Sequence, residues 1–152
     1  MKILILGGDG MIGHKMAQSL INFDLYLNSR SNSNYLKEHF PNSTLSDVDF
    51  LNQNIEELLN KILPDYIINA VGITIRRGAS NNKKTNLINS QLPNQIDFWC
   101  KENQKKQIHF STDCVFSGDK GNYNDLDLHD AKDDYGKSKG EGEINSNSTL
   151  TI

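Results

Sequence analysis

A tyrosine and a lysine with helical spacing give the first indication of chemistry in this sequence. They are Tyr135 and Lys139, in the run Tyr-Gly-Lys-Ser-Lys. Residues four apart share one face of a helix, so the Lys139 ammonium can lie near the Tyr135 phenol. A nearby cation lowers the pKa of a phenol toward neutrality, where tyrosine can act as an acid or a base. The pair alone is a weak motif, because a chain with 5 tyrosines and many lysines often contains one Tyr-x-x-x-Lys by chance.

A threonine after an apolar run supplies a third candidate group. Thr112 follows the segment Gln107–Ser111, which has the composition of a buried strand. Ligands of open parallel sheets bind outside the carboxyl ends of the strands. Thr112 is therefore predicted to face the same crevice as Tyr135 and Lys139 and to donate a hydrogen bond to a carbonyl oxygen.

Three glycines near the amino terminus form a second motif. Gly7, Gly10 and Gly13 have the spacing G-x-x-G-x-x-G and lie between a short apolar run and an amphipathic segment. Glycines in this pattern permit a tight turn, close approach of the backbone to a pyrophosphate, and close packing of helix on strand. The backbone N–H groups that open the helix, at Met11 and Ile12 among others, are available to anionic oxygens. The turn predicts a dinucleotide site.

The end of the second predicted strand indicates which dinucleotide is preferred. An acidic residue at this point would hold the ribose hydroxyls of NAD(H), but the sequence here is Asn-Ser-Arg-Ser. Arg30, flanked by hydroxyl groups, favours a 2′-phosphate, so NADP(H) is preferred and NAD(H) is the alternative. Asp49, after the third predicted strand, can accept a hydrogen bond from the adenine amino group or can cap the next turn.

Alternating apolar segments supply the elements that must position these residues. Short apolar runs predict buried strands, and apolar residues at helical spacing predict helices. The predicted strands are Lys2–Leu6, Phe23–Leu27, Thr44–Val48, Tyr66–Val71, Gln107–Ser111 and Thr149–Ile152. The predicted helices are Met11–Asn22, Asn34–Phe40, Asn54–Leu63, Lys84–Asn103 and Tyr135–Ile144. This alternation predicts an α/β fold with a doubly wound parallel sheet, the NAD(P)-binding Rossmann fold, as one domain over residues 1–152.

Composition and charge exclude several classes of partner. With 16 Lys+Arg against 19 Asp+Glu and no basic block, the chain does not have the charge of a nucleic-acid-binding protein. No apolar run has the length of a signal-peptide core or a membrane span, which predicts a cytoplasmic protein without a membrane partner. Cys100 and Cys114 form no metal-binding or disulfide pattern, as expected in a reducing compartment.

The polar segment Asp113–Asp134 is too long for an ordinary connection and is predicted to be a functional loop or lid. Its acidic residues include Asp119, Asp125, Asp127, Asp130, Asp133 and Asp134. Their spacing matches no EF-hand, so a solvated loop is preferred to a Mg²⁺ site and no metal ligand is assigned. The four histidines do not cluster in the sequence and are assigned no chemistry.

Taken together, the motifs resemble the extended short-chain dehydrogenase/reductase superfamily and, within it, the dTDP-4-dehydrorhamnose reductase-like proteins. The matching segments are Gly7–Gly13, Ile68–Gly72, Asn89–Pro93, Ser111–Gly118, Tyr135–Lys139 and Gly142–Glu143. They cover nearly the whole chain in order. The resemblance implies that Thr112, Tyr135 and Lys139 occupy the catalytic positions.

The resemblance also implies a reaction and a substrate class. Hydride would pass from the cofactor to the C4 ketone of a nucleotide-linked sugar, in the synthesis of deoxysugars for surface polysaccharides, while Tyr135 supplies the proton. Lys139 would steady the phenolate and hold the nicotinamide ribose. Asn69, Ala70 and Val71 would lie along the cofactor.

Two alternatives remain open. Nucleotide-sugar epimerases and dehydratases share the fold and the Tyr and Lys, although a dehydratase would be expected to carry two acidic groups where this chain has Asp113 and Cys114. A cofactor-binding or regulatory subunit without catalysis is the other alternative. Members of the resembled family continue beyond the sixth strand into a substrate domain that these 152 residues lack, so cofactor binding is the safer expectation than turnover. An uncovered edge strand leaves a homodimer open.

Overall fold

The computed structural model describes residues 1–31, 33–74 and 82–152, which form a sheet of six parallel strands. The strands are β1 (Lys2–Leu6), β2 (Asp24–Asn28), β3 (Thr44–Ser46), β4 (Tyr66–Asn69), β5 (Lys106–His109) and β6 (Thr149–Thr151). Their order across the sheet is β3-β2-β1-β4-β5-β6, so the direction of winding reverses between β1 and β4. This topology confirms the doubly wound parallel sheet. β6 forms an outer edge of the sheet, and the homodimer stays a prediction.

Helices cover both faces of the sheet. They are α1 (Met11–Ser19), α2 (Ser33–His39), α3 (Ile55–Ile62), α4 (Asn82–Asn86), α5 (Leu92–Asn103) and α6 (Asp134–Glu141). Successive residues of β1 point to opposite faces, so Leu4 and Leu6 enter the core with α3 and α5, whereas Ile3 and Ile5 enter the core with α1 and α2. Burial on both faces explains why β1 is apolar from Ile3 to Leu6. Among the helices of the described ranges, none combines the length and the apolar composition that a membrane span requires.

Several element boundaries differ from their predicted positions. The helix α1 ends at Ser19 rather than Asn22, because the Phe23 N–H donates to the Leu20 carbonyl at 3.0 Å in a turn that leads into β2. The strand β4 ends at Asn69 rather than Val71. There the Val71 N–H donates to the Asn69 side-chain oxygen at 3.3 Å rather than to a carbonyl of a neighbouring strand. Most of the polar segment 73–82 lies outside the described residues.

The long helix predicted over Lys84–Asn103 is interrupted by a π-helical turn, Leu87–Gln91, between α4 and α5. The Leu92 N–H reaches back five residues to the Leu87 carbonyl. One residue later, Pro93 has no N–H to offer the Asn89 carbonyl, which a regular helix would require. The wider turn accommodates the proline within a helix that the periodicity predicted to be continuous.

The glycine turn has no space for larger residues at two points. Gly7 has φ +76°, in the left-handed region, and its N–H donates to the Asn28 carbonyl at 3.1 Å. A Cβ atom on Gly13 would lie 2.1 Å from the Gly7 carbonyl oxygen. The start of α1 therefore packs directly on the backbone of the turn.

We expect Gly13→Ala to reduce the free energy of unfolding by about 1–3 kcal/mol. Alanine normally stabilises a helix relative to glycine by about 1 kcal/mol, but here the overlap with a backbone carbonyl outweighs that gain. Urea denaturation followed by circular dichroism measures the change. Gly72→Ala is the matched control, because its Cβ would meet only Asn89 Oδ1 at an ordinary 3.7 Å. Equal stability of the two variants would contradict the packing argument.

Candidate active site

A cleft of about 570 Å³ lies at the carboxyl edge of the sheet, where the strand order reverses. Among its lining residues are Gly7, Gly10, Arg30, Asp49, Ala70 and Val71. These six predicted cofactor residues come from the segments that follow β1, β2, β3 and β4. The parallel sheet thus brings four distant parts of the sequence to one surface. A second groove of about 550 Å³, between α3 and α5, contains none of the predicted site residues.

The start of α1 presents backbone donors beside the glycine turn. The His14 N–H donates to the Gly10 carbonyl at 2.8 Å, and the N–H groups of Met11, Ile12 and Gly13 precede this bond in the helix. Met11 is 88% exposed and Ile12 is 40% exposed. The contribution predicted for these two residues is therefore through their backbone rather than their side chains.

Buried polar contacts hold the end of β2 in position. The Asn28 side-chain amide donates to the carbonyls of Ser46 and Val48, at 3.3 Å each, which ties β2 to β3 and to the segment after it. Arg30 lies two residues further on, exposed, at the wall of the cleft. The lining also contains Lys84, a cationic residue that sequence reasoning did not select.

The carboxylate of Asp49 caps a turn and also lines the cleft. Its two oxygens accept from the Leu51 N–H and the Asn52 side-chain amide, each at 3.1 Å. The capping role considered for Asp49 is therefore present in the structure. The adenine contact stays a prediction.

The polar residue Asn69 lies beneath the wall of the cleft rather than in it. It is fully buried, its Oδ1 accepts from the backbone N–H of Val71, and its Nδ2 lies 3.2 Å from His109 Nδ1. Ala70 and Val71 line the cleft itself. Of the three residues expected along the cofactor, Asn69 therefore lies behind the cleft surface and contacts that surface through the backbone of Val71.

Thr112 and Tyr135 are held on adjoining segments at the end of β5. Thr112 is half-buried and caps the short turn Asp113–Val115 by accepting from the Cys114 N–H at 3.3 Å. The helix α6 packs on this turn, and a Cβ on Gly136 would lie only 2.1 Å from the Cys114 carbonyl oxygen. Gly136 is therefore required for the close approach of α6. The Tyr-x-x-x-Lys motif does not indicate this role, because position 136 is one of its unspecified residues.

The ammonium group of Lys139 is anchored on β5 and the residue after it. Lys139 is 4% exposed, and its Nζ donates to the Phe110 carbonyl and lies 3.4 Å from His109 Nε2. Burial lowers the pKa of Lys139 to about 8, and the charge of Glu143 opposes this change. The expected effect of Lys139 on the Tyr135 phenol stays a prediction.

The buried side chain of Asn89 connects the cleft to α6. Its amide makes two hydrogen bonds to the backbone of Ile73, at 2.8 and 2.9 Å, and donates to Ser138 Oγ at 3.1 Å. The Ser138 hydroxyl in turn donates to the Tyr135 carbonyl at 2.9 Å. Sequence reasoning did not select Asn89 for this role. The available signal was that Asn89 is a polar residue close to the inward-facing apolar positions of the predicted helix.

Several aspartates of the segment 113–134 have partners within the chain. Asp127 pairs with Lys120 at 2.6 Å, Asp119 pairs with Lys132, and Asp133 caps α6. Three carboxylates of the loop that was predicted to be solvated therefore also have partners within the chain. Across residues 1–31, 33–74 and 82–152, no three His, Cys, Asp or Glu side chains are grouped closely enough to hold a metal ion.

The strand order and the cleft at its reversal define a doubly wound, Rossmann-type domain. Within this class, the chain belongs to the RmlD substrate binding domain family, whose model matches residues 1–150. This membership agrees with the resemblance read from the motifs.

Individual relatives support the same assignment. Over 93 residues the chain is 31% identical to the probable low-salt glycan biosynthesis reductase Agl14 of Haloferax volcanii, a match covering 60% of this chain and 31% of that protein. A crystal structure of a hypothetical dTDP-4-dehydrorhamnose reductase from Sulfolobus tokodaii has a TM-score of 0.86 and 27% identity, covering 99% of this chain and 54% of that one.

A third relative shares the fold alone. The UDP-glucuronic acid 4-epimerase from Bacillus cereus, solved in complex with NAD, has a TM-score of 0.73 and 21% identity, covering 93% of this chain and 50% of that one. The chain therefore spans about half the length of the solved relatives and 31% of the curated one.

The buried lysine predicts a specific dependence of stability on pH. The folded-state pKa of Lys139, about 8, lies below the ordinary value of 10.5, so the unfolded state binds the proton more tightly. The free energy of unfolding should therefore rise as the pH increases from about 8 to about 10.5. Relative to Lys139→Met, the unmodified chain should gain roughly 3 kcal/mol over this range.

Urea denaturation of both proteins across this pH range measures the difference. The comparison cancels the titration of the exposed lysines, because both proteins carry them. A difference that stays constant with pH would show that Lys139 keeps its ordinary pKa in the folded chain.

Proposed function

We propose that residues 1–152 form the NAD(P)-binding domain of an NADP(H)-dependent reductase that acts on a nucleotide-linked 4-keto-6-deoxysugar in surface polysaccharide biosynthesis. The observation that carries this proposal is that the glycine-turn cleft and the anchored Lys139 of α6 both lie at the carboxyl edge of the sheet. The family assignment and the glycan biosynthesis reductase of Haloferax volcanii support sugar-nucleotide chemistry.

The residues of the cleft fit a dinucleotide. Gly7 and Gly10 line it, and a Cβ on Gly10 would lie 3.2 Å from the Gly7 carbonyl oxygen, so a side chain would crowd the surface that a pyrophosphate approaches. Arg30 would hold the 2′-phosphate, and Ala70 and Val71 would line the path toward the nicotinamide. When bound, the cofactor supplies the hydride.

The catalytic roles are assigned to groups at the end of β5 and on α6. The Thr112 hydroxyl would donate to the ketone oxygen, because its present acceptor, Asp113 Oδ1, is a weak contact at 3.4 Å. Tyr135 would deliver the proton to the same oxygen. Lys139 would hold the nicotinamide ribose and steady the phenolate, with its position set by the Phe110 carbonyl.

The residues after Thr112 distinguish a reductase from a dehydratase, and the consumption of NADPH distinguishes a reductase from an epimerase or a cofactor-binding subunit. Thr112 is followed by Asp113 and then by Cys114 rather than by two acidic residues, which favours reduction over the elimination of a dehydratase. An epimerase would return its cofactor to the starting oxidation state, whereas a reductase consumes NADPH in proportion to substrate. A chain that binds NADPH without consuming it with any 4-keto sugar nucleotide would support a cofactor-binding subunit.

We expect Arg30→Ala to weaken NADPH binding by about 10- to 100-fold, since a hydrogen-bonded charge pair contributes about 1.5–3 kcal/mol. Binding of NADH should change little, because NADH has no 2′-phosphate. Fluorescence titration with each cofactor measures both affinities.

Lys61→Ala is the control for the change in net charge, because Lys61 lies in the last turn of α3, before β4 begins and away from the cleft. It should leave both affinities unchanged. Equal affinity of the unmodified chain for NADH and NADPH would contradict the assignment of Arg30.

We expect Tyr135→Phe to lower the rate of NADPH oxidation with a nucleotide-linked 4-keto sugar by about 10²- to 10⁴-fold, the usual contribution of a positioned proton donor. NADPH binding should be retained, because the ring remains. Tyr66→Phe is the matched control, since Tyr66 begins β4 at the opposite edge of the sheet. Unchanged turnover in Tyr135→Phe would remove the proposed proton donor.

A further inference from the structure

Three buried polar side chains form a row from β4 through β5 to α6. Asn69 and His109 are register partners in the parallel pair β4–β5, and Asn69 Nδ2 lies 3.2 Å from His109 Nδ1. On the other side of the ring, His109 Nε2 lies 3.4 Å from Lys139 Nζ. Asn69 and His109 are fully buried and Lys139 is 4% exposed, so water cannot readily replace these contacts.

The hydrogen bonds of Asn69 determine which atoms of the ring carry a proton. The Val71 N–H can only donate, and it points to Asn69 Oδ1 at 3.3 Å, which leaves the amide Nδ2 facing His109. An amide nitrogen also can only donate, so His109 Nδ1 must accept. Burial lowers the pKa of His109 to about 3, which keeps the ring neutral, and its one proton is then on Nε2.

This tautomer requires an acceptor at Lys139. An ammonium group has donors only, whereas the neutral amine can accept from the His109 Nε2–H. If Lys139 carries its charge, Nε2 must instead accept, the ring proton moves to Nδ1, and Asn69 must turn its oxygen toward the ring. The turned amide can then no longer accept the N–H of Val71.

We propose that His109 is a positioning residue that couples the charge of Lys139 to the orientation of the Asn69 amide and, through that amide, to the Val71 backbone at the wall of the cleft. As a consequence, the proton state of the lysine on α6 is linked to the shape of the surface along which the cofactor would lie. This consequence for the cofactor rests on the proposed function, but the coupling itself does not.

Among the described residues, the charged groups around this row lie mainly near Lys139 and influence its charge. Glu143, just beyond α6, favours the charged form of Lys139 and is itself bonded to the Ser111 hydroxyl and, at 3.2 Å, to His129 Nε2. Tyr135 is the titratable group one turn earlier on α6. β4 contributes the uncharged Asn69, and β6 pairs with His109 through the uncharged Thr151.

Nitrogen-15 NMR of the full chain, labelled at histidine, tests the coupling without substrate or cofactor. The His109 ring signals are those absent from His109→Gln, or those that stay neutral through the ordinary titration range of histidine. We expect the ring proton to move from Nδ1 to Nε2 as the pH rises through about 8, because Lys139 then becomes an acceptor. A proton that stays on one nitrogen from about pH 6 to 10 overturns the inference.

Lys139→Met is the matched variant, because it keeps an unbranched side chain but removes the amine. We expect His109 in this variant to hold a single tautomer at every pH, because no group at position 139 then gains or loses a proton. If the pH-dependent change persists in Lys139→Met, another group causes it and the inference is wrong.

The inference and the proposed function can fail separately. An unmodified chain that does not bind NADPH or NADH would remove the proposed function, while a pH-dependent exchange of the His109 proton would still support the coupling. A His109 ring that keeps one tautomer in a chain that binds NADPH would overturn the coupling and leave the proposed function standing.

Discussion

Burial of the central strands on both faces is the constraint on which the rest of the structure depends. With helical layers above and below, β1 and β4 expose no face to ligands, so the chemistry is confined to the segments that leave the carboxyl edge of the sheet. Because all the described strands are parallel, those segments meet along one line. The strand order reverses between β1 and β4, and the described helices that follow these two strands pack on opposite faces of the sheet, beside the cleft.

Close backbone contacts at glycines set the dimensions of this edge. Gly13 brings α1 onto the turn at Gly7, Gly136 brings α6 onto the Cys114 carbonyl, and a Cβ on Gly142 would lie 2.0 Å from the Asn89 carbonyl. Each contact replaces side-chain packing by direct contact of backbones, which leaves little freedom to move. The cleft and the helix that carries the Tyr and Lys are thereby fixed relative to the same sheet.

Buried polar groups then connect the two parts of the site. Asn89 binds the backbone after β4 and the Ser138 hydroxyl on α6, while His109 bridges Asn69 and Lys139. Buried polar groups are usually hydrogen-bonded within the protein, and here the partners lie on different elements. The polar row therefore stabilises one arrangement of sheet and helix.

The sequence by itself determined the order of the elements, the glycine turn and the spacing of Tyr135 and Lys139, because helix periodicity, strand burial and turn sterics act over a few residues. It did not reveal the π-helical turn before Pro93 or the ends of β4 and β5, which depend on contacts with other elements. His109, buried in a short strand, gave no sign of its partners. Only the register of β4 against β5 and the packing of α6 decided that it meets Asn69 and Lys139, since hydrogen bonds between residues distant in sequence depend on the assembled fold.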